Sequence, residues 1–425
     1  MKVRWMVAGL VLWIMHGVVY ADAAQLQMNE AFRLALTHPS VVARSSELGA
    51  AQQRLVAAQW QRFPTLSALT GKDQSQNGYA TVRLDQPLWT GGRITAGIDS
   101  AEASVRGAEA AVLESHQDIL TRAVAAFTEF GRLHTRMVTS RSNVAEHERL
   151  YKLIDRRVQS EVSSSSDGVL ARARLAAARA ELGQFEAQSG RARSQLEQIV
   201  GRSFERIELP AMPSLRQKTL LEMTDAALEY SPALRRRTAE EEAAQAEIGI
   251  RQGNLWPQVK ARYERTNGST LMAREQVYIA LEYQPGAGMS SLSGVQEAVA
   301  RREAAQAVRE TARRELLDTI ATDWASYQSL KSQGRDQLAQ VESTSDVFDS
   351  FVRQYAVGRK SWIDVLNAQR ELVSARYALA DVEWGMMRDT LRLQIFSGEL
   401  SAANLGASAG RGTKIRCTEF AAENL

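Results

Sequence analysis

A chain of 425 residues with 44% hydrophobic and 24% charged side chains is long enough for two or three ordinary domains and too apolar to be disordered throughout. Its 52 lysines and arginines stand against 49 aspartates and glutamates, a net +3 that is too balanced for a nucleic-acid binder with a concentrated basic face. The single cysteine, Cys417, excludes an intrachain disulfide and a cysteine-based metal site.

The chain opens with Lys2 and Arg4, an apolar run from Trp5 to Tyr20, and the small residues Ala21, Ala23 and Ala24. Basic start, short apolar core and an A-x-A site predict a cleaved secretory leader over residues 1–23, because the run is shorter than the roughly 20 residues a spanning helix needs. Without the leader the charge balance is +2. No cysteine follows the apolar run, so no lipid anchor is expected there. Beyond residue 24 no apolar stretch is long enough to cross a bilayer as a helix. A mature chain that crosses a membrane must therefore do so as β-strands, the other way of satisfying every backbone group in lipid.

The prolines punctuate a duplication. They fall at 39, 64 and 87, then 210 and 213, then 232, 257 and 285, leaving 88–209 and 286–425 free of them. "ALTHPSV" (35–41) is echoed by "ALEYSPAL" (227–234), and "LDQPLWTGG" (84–92) by "LEYQPGAGM" (281–289). Asp167, Leu175 and Gly201 return as Asp364, Leu372 and Gly398, each 197 residues later. We expect two repeats, 24–209 and 210–398, followed by an irregular tail over 399–425.

Within each repeat the hydrophobic period changes along the chain. Residues 28–60 and 220–254 carry apolar positions three and four apart and read as helices, ended by Pro64 and Pro257. Two strands around a polar loop follow in each half, with alternation clearest at Val277, Ile279 and Leu281. One hairpin alone is marginally stable and must pair with others. The proline-free tracts hold a narrow apolar seam from Ile94 through Val158, returning from Ala171 to Ile199 and again from Ala368 to Phe396. A helix over 94–158 would be about 98 Å long at ~1.5 Å per residue, which predicts long coiled-coil hairpins with tips near 159–166 and 356–361. His116 and His147 fall on the seam, where packing is their expected work.

Helix, strand hairpin and long helical hairpin, duplicated behind a leader, give a chain that resembles the TolC family of outer-membrane efflux and type I secretion proteins. The residues that carry the likeness are "PLWTGGR" (87–93), "YAVGRKSWIDVLNAQREL" (355–372) and its first-half echo "SSSSDGVLARARL" (163–175). The resemblance implies a mainly α chain with a transmembrane β-barrel, four strands from each of three protomers, and a helical tunnel in the periplasm. It implies partners as well: a homotrimer in outer-membrane lipid, a periplasmic adaptor and an inner-membrane transporter, with no cofactor and no enzymatic activity. The missing anchor cysteine points toward the type I secretion branch. Multidrug or small-molecule efflux is the alternative, and a periplasmic coiled-coil adaptor a further one.

Four residues at the second tip are candidates for a gate. The resemblance places Asp364 in a ring of carboxylates at the tunnel's inner end, with Asn367 where relatives often carry a second aspartate. Ser361 and Asp364, like Ser164 and Asp167, also have the spacing of a helix cap, and the two roles are compatible. Tyr355 and Lys360 stand where the resemblance places hydrogen-bonding latch residues; an ordinary surface pair is the other reading. Gly91, Gly92, Gly286 and Gly288 permit the strand-to-helix turns. Trp60, Trp89 and Trp256 border the strands as an aromatic belt or as packing anchors. No G-x-S-x-G, H-E-x-x-H or Walker A sequence is present, and His16, His38, His116, His134 and His147 show no ligand spacing.

Overall fold

The computed structural model describes residues 26–72, 78–208, 210–268, 274–284 and 286–407. The expected leader, the polar centres of both strand loops, Pro285, the repeat boundary at Leu209, and Cys417 with the end of the tail lie outside the described residues.

Proline placement explains how each half begins. The segment read as one helix over 28–60 is two, α1 (Met28–Ala35) and α2 (Pro39–Trp60), and 220–254 is likewise α5 (Leu220–Tyr230) and α6 (Pro232–Gly253). Pro39 and Pro232 open α2 and α6 because a proline's missing N–H costs nothing in a first turn. His38 caps α2 by accepting from the Ser40 N–H, and Ser231 caps α6 by accepting from Leu234.

Strands β1 (Thr65–Lys72) and β2 (Gly78–Trp89) follow α2, and β3 (Gln258–Gly268) and β4 (Arg274–Glu282) follow α6. They form one antiparallel sheet in the order β1-β2-β3-β4. The register sorts its faces. Leu66 pairs with Leu84, Leu84 with Tyr263 and Tyr263 with Val277, while Val259 pairs with Leu281. Apart from the Arg265–Glu275 pair near its loop end, one face is therefore apolar, and it is open to the surroundings: Val277, Ile279 and Leu281 are 76%, 71% and 69% exposed. The opposite face aligns Ser67 with Arg83 and Glu264, and Asp85 with Arg262.

Two 67-residue helices dominate the rest: α3 (Arg93–Gln159) and α7 (Ser290–Ala356), each about 100 Å long. Each turns back into a shorter helix, α4 (Ser165–Val200) or α8 (Trp362–Phe396). Along its first third α3 runs beside α6, where Gly107 lies against Ala239 and Arg106 pairs with Glu242. Further on α3 lies against α4 and α8, as shown by Arg141 with Glu186 and by the buried Gln369 donating to Asn143 at 3.0 Å. Between these two layers sits the main core, in which Phe32, Phe127, Phe130, Leu196, Phe204 and Trp384 meet.

The tail expected to be irregular from 399 contains a short helix, α9 (Ala402–Ala407), which contacts α1. Ser401 Oγ accepts from the Asn404 N–H, Asn404 donates to the Gly398 and Glu399 carbonyls, Arg33 donates to the Leu405 carbonyl, and the Leu405 side chain is buried in the main core. No described helix is long and apolar enough to cross a membrane.

Candidate functional site at the hairpin tips and the barrel wall

Both tips are built the same way from the same local chemistry. Ser164 accepts from the Asp167 N–H while the Asp167 carboxylate accepts from the Ser164 N–H, starting α4; Ser361 and Asp364 repeat the reciprocal pair at α8. Serine reaches the third N–H of the helix and an acid there reaches back, satisfying two donors that a helix start leaves open. In the second tip the Ser361 hydroxyl also donates to Asp364 at 2.8 Å. Hydrogen bonds from Ser361 hold the Asp364 carboxyl below its ordinary value, with Lys360 adding a smaller pull in the same direction. Asn367 is exposed one helical turn further on.

The tips lie side by side over a shared apolar floor of Ile154, Phe348, Trp362, Val365 and Leu372. Tyr355 is buried in it, with its hydroxyl 3.4 Å from Ser163 Oγ, its ring 5.6 Å from Trp362 and the Arg157 guanidinium 4.8 Å above it. One phenol thus touches the end of α3, the first tip loop and the start of α8. Lys360 turns inward over its own hairpin, with Nζ 4.3 Å from the Phe351 ring centroid.

At the other end of the helices the sheet meets α3 and α6 through glycines. Gly91 and Gly92 have φ of +60° and +85°, and a Cβ on Gly91 would stand 2.8 Å from Trp256 Cβ. Gly286 and Gly288 take φ of +80° and +59° at the corresponding turn into α7. Trp89 meets Trp256 edge to face at 6.3 Å, and Trp60 lies against Phe63 at 5.0 Å. All four aromatic rings stand at the helix end of the sheet.

The polar face of the sheet carries a feature that residue spacing did not announce. Arg262 bonds Asp85 at 2.6 and 3.0 Å and Glu282 at 2.6 Å; Lys260 reaches Glu282 at 2.8 Å and Arg83 reaches Glu264 at 3.1 Å. Three cations and three carboxylates on β2, β3 and β4 therefore neutralise one another on one wall. Alternation of Arg83 with Asp85 and of Lys260 with Arg262 was the available signal, legible only once β2 and β3 were known to be neighbours.

Apolar on one face and charged on the other is the pattern of a barrel wall between lipid and water. Four strands are too few to close, and β1 and β4 leave edges that only further strands can pair. The sequence profile described as outer membrane efflux protein matches residues 33–202 and again 223–399. The chain belongs to the outer membrane efflux protein family. It is 24% identical over 368 residues to the cobalt-zinc-cadmium resistance protein CzcC of Cupriavidus metallidurans, covering 83% of this chain and 85% of that one. Among solved structures it is similar to the outer membrane protein VceC of Vibrio cholerae, with a TM-score of 0.77, 19% identity, and 87% and 96% of the two chains covered. The MtrE outer membrane channel of Neisseria gonorrhoeae gives 0.75, with 16% identity and 89% and 90% covered.

Membership fixes the fold and the place of the protein. It is a trimeric channel of the outer membrane, not an enzyme, with its strands in the barrel and its helices forming a tunnel in the periplasm. The apolar sheet face is the lipid face, and the Arg262 network faces the lumen. Among the described residues no three of His, Cys, Asp and Glu stand close enough to hold a metal ion. His116, His134 and His147 lie along α3, and burial pushes each below the ordinary imidazole value, so they pack as neutral rings.

Proposed function

We propose that the protein is the exit duct of a tripartite efflux system, docked through its hairpin tips to a periplasmic adaptor and an inner-membrane transporter. We assign it small cargo, divalent heavy-metal cations first. The observation that carries the duct reading is the join of a salt-bridged lumenal wall to two hairpins about 100 Å long with capped tips. Such a structure guides solutes and has no group placed to transform them. The cargo reading draws on CzcC, a relative named for cobalt, zinc and cadmium resistance. Type I secretion, expected from the sequence, rested on a missing cysteine near the leader, which touches no surface that cargo passes. In this reading Asp364 and Asn367 line the entrance, and Tyr355 and Lys360 hold the tips together.

The test is complementation in a host lacking its own duct but supplied with the adaptor and pump. Restored growth in zinc, cobalt or cadmium is the expected result. Secretion of an unfolded reporter protein, with metal tolerance unchanged, would return the cargo to the protein-export reading. Loss of both would remove the duct from export altogether.

A further inference from the structure

The lipid face of the sheet breaks its apolar pattern at Arg265 and Glu275, close to the polar loops, and Lys72, the last residue of β1, falls on the same side. A charge on the lipid side of a barrel costs most at the bilayer midplane and little near its surfaces. From Trp256, at the helix end of the sheet, to Arg265 is nine residues. At ~3.3 Å per residue and a strand tilt near 40°, that climb is about 23 Å, close to the ~25 Å of a barrel's apolar band. Arg265 therefore stands at the headgroup level of the outer leaflet, with Tyr263 beside it as an interfacial aromatic ring. Arg265 and Glu275 are register partners, yet their charged groups approach only to 3.8 Å, and the side chains are 52% and 59% exposed. Glu275 is engaged elsewhere, because Tyr263 donates its hydroxyl to it at 2.5 Å. A guanidinium has five N–H donors, and one loose carboxylate leaves most of them open to a second acceptor. Neighbouring copies pair with β1 and β4 edge to edge, so the trimer leaves this face turned outward.

We propose that Arg265, with Lys72 further out on the same side, holds the phosphate of an anionic lipid of the outer leaflet, whose acyl chains lie along Val82, Val277 and Ile279. Phosphate suits the planar fork of arginine, which meets it with two parallel bonds. The exposed aliphatic side chains on the midplane side of Arg265 favour lipid over free phosphate, which has nothing to place on them. Tyr263 is a positioning residue: by holding Glu275 it keeps that carboxylate from closing on Arg265. The inference rests on the barrel's place in the outer membrane and is independent of the cargo reading above.

The test is native mass spectrometry of the purified trimer in detergent, titrated with diphosphoryl lipid A (a phosphorylated, acylated disaccharide) and with its fully dephosphorylated form. The phosphorylated lipid should bind tighter than the dephosphorylated one. Arg265→Gln should weaken the phosphorylated lipid about tenfold, the loss expected for one charge-assisted phosphate contact, and leave the dephosphorylated form unchanged. Tyr263→Phe should weaken it less, with no change in charge. Glu275→Gln should tighten it, a gain that a misfolded barrel does not give. Equal binding of the phosphorylated lipid to wild type and Arg265→Gln overturns the proposal. So does equal binding of the two lipid forms to wild type. Full competition by inorganic phosphate assigns Arg265 to a free anion and overturns the lipid reading.

Discussion

Gly131 of α3 lies under the indole of Trp384 of α8, so closely that a Cβ on Gly131 would clash with the ring. The same indole donates from Nε1 to Thr135 Oγ1 at 3.0 Å, and Arg132 and Arg136 on α3 both pair with Asp381. This is the crossing point of the two hairpins within a protomer, midway between barrel and tip. Gly131→Ala should overpack it and cost about 1–3 kcal/mol, and Trp384→Ala, which empties it, about 3–5 kcal/mol. Thermal melting of the trimer in detergent reads both. Equal melting of Gly131→Ala and wild type would show that α8 can step aside.

The capping boxes at Ser164 and Ser361 give a second prediction. Ser164→Ala or Ser361→Ala should each loosen its tip by about 1 kcal/mol, the usual cost of losing a serine cap. Limited proteolysis at 159–166 or 356–361 should then speed up at the altered tip alone. Asp364 adds a pH dependence with a definite sign. Its folded-state pKa is depressed, so its contribution is complete above the ordinary carboxylate value and is lost as pH falls through the lower folded value. Acid-induced loosening of the second tip should therefore be absent in Asp364→Asn. If Asp364→Asn alters single-channel current near neutral pH while Ser361→Ala does not, the carboxylate acts on the pore as well as on the helix.

Much of this architecture was legible because local signals agreed with one another. Proline spacing, a seam repeating from Ile94 to Val158, and two strands around a polar loop in each half all pointed to the same duplicated layout. The breaks at Leu36–His38 and at Ser231 escaped the reading because apolar periodicity runs through both, and only Pro39 and Pro232 marked new first turns. The lumenal network escaped it for a different reason: Asp85 and Arg262 are 177 residues apart, and no local pattern encodes strand register between hairpins. The tip was half legible. Serine and aspartate at the right spacing announced the cap, but the contact of Tyr355 with Ser163 and the Arg157 guanidinium depends on two hairpins folding side by side.

A buried acid inside the second hairpin gives a third prediction. Asp323 on α7 lies 3.2 Å from Arg392 on α8, beside Asp389, which binds Arg388 at 2.8 Å and accepts from Ser326 at 2.5 Å. Burial pushes the Asp323 pKa up, Arg392 opposes this, and the neighbouring Asp389 carboxylate adds to it. A folded-state carboxylate with a raised pKa holds a proton that the unfolded chain has released. Stability from this group therefore rises as pH falls from the raised value toward the ordinary one of 3.8. Asp323→Asn should flatten that part of the melting-temperature profile in mild acid. An unchanged slope in the variant would place the proton uptake elsewhere.

The barrel wall supplies the last prediction. Arg262 holds Asp85 and Glu282 together in a lumenal cluster with as many cations as carboxylates. Arg262→Ala removes one cation and leaves two carboxylates short of a partner, although Lys260 still reaches Glu282. Three protomers repeat the deficit around one ring, so the potential at this level of the lumen becomes more negative. Rings of carboxylates favour cation passage. The variant should shift reversal potential toward cations in a salt gradient, and the shift should shrink as salt screens the ring. Arg262→Lys should keep the charge but lose the two-pronged hold on Asp85, leaving selectivity near wild type and lowering the melting temperature. Selectivity unchanged in Arg262→Ala would mean that the barrel is too wide at this level for its wall charge to act on ions. Selection by charge would then fall to other levels of the duct.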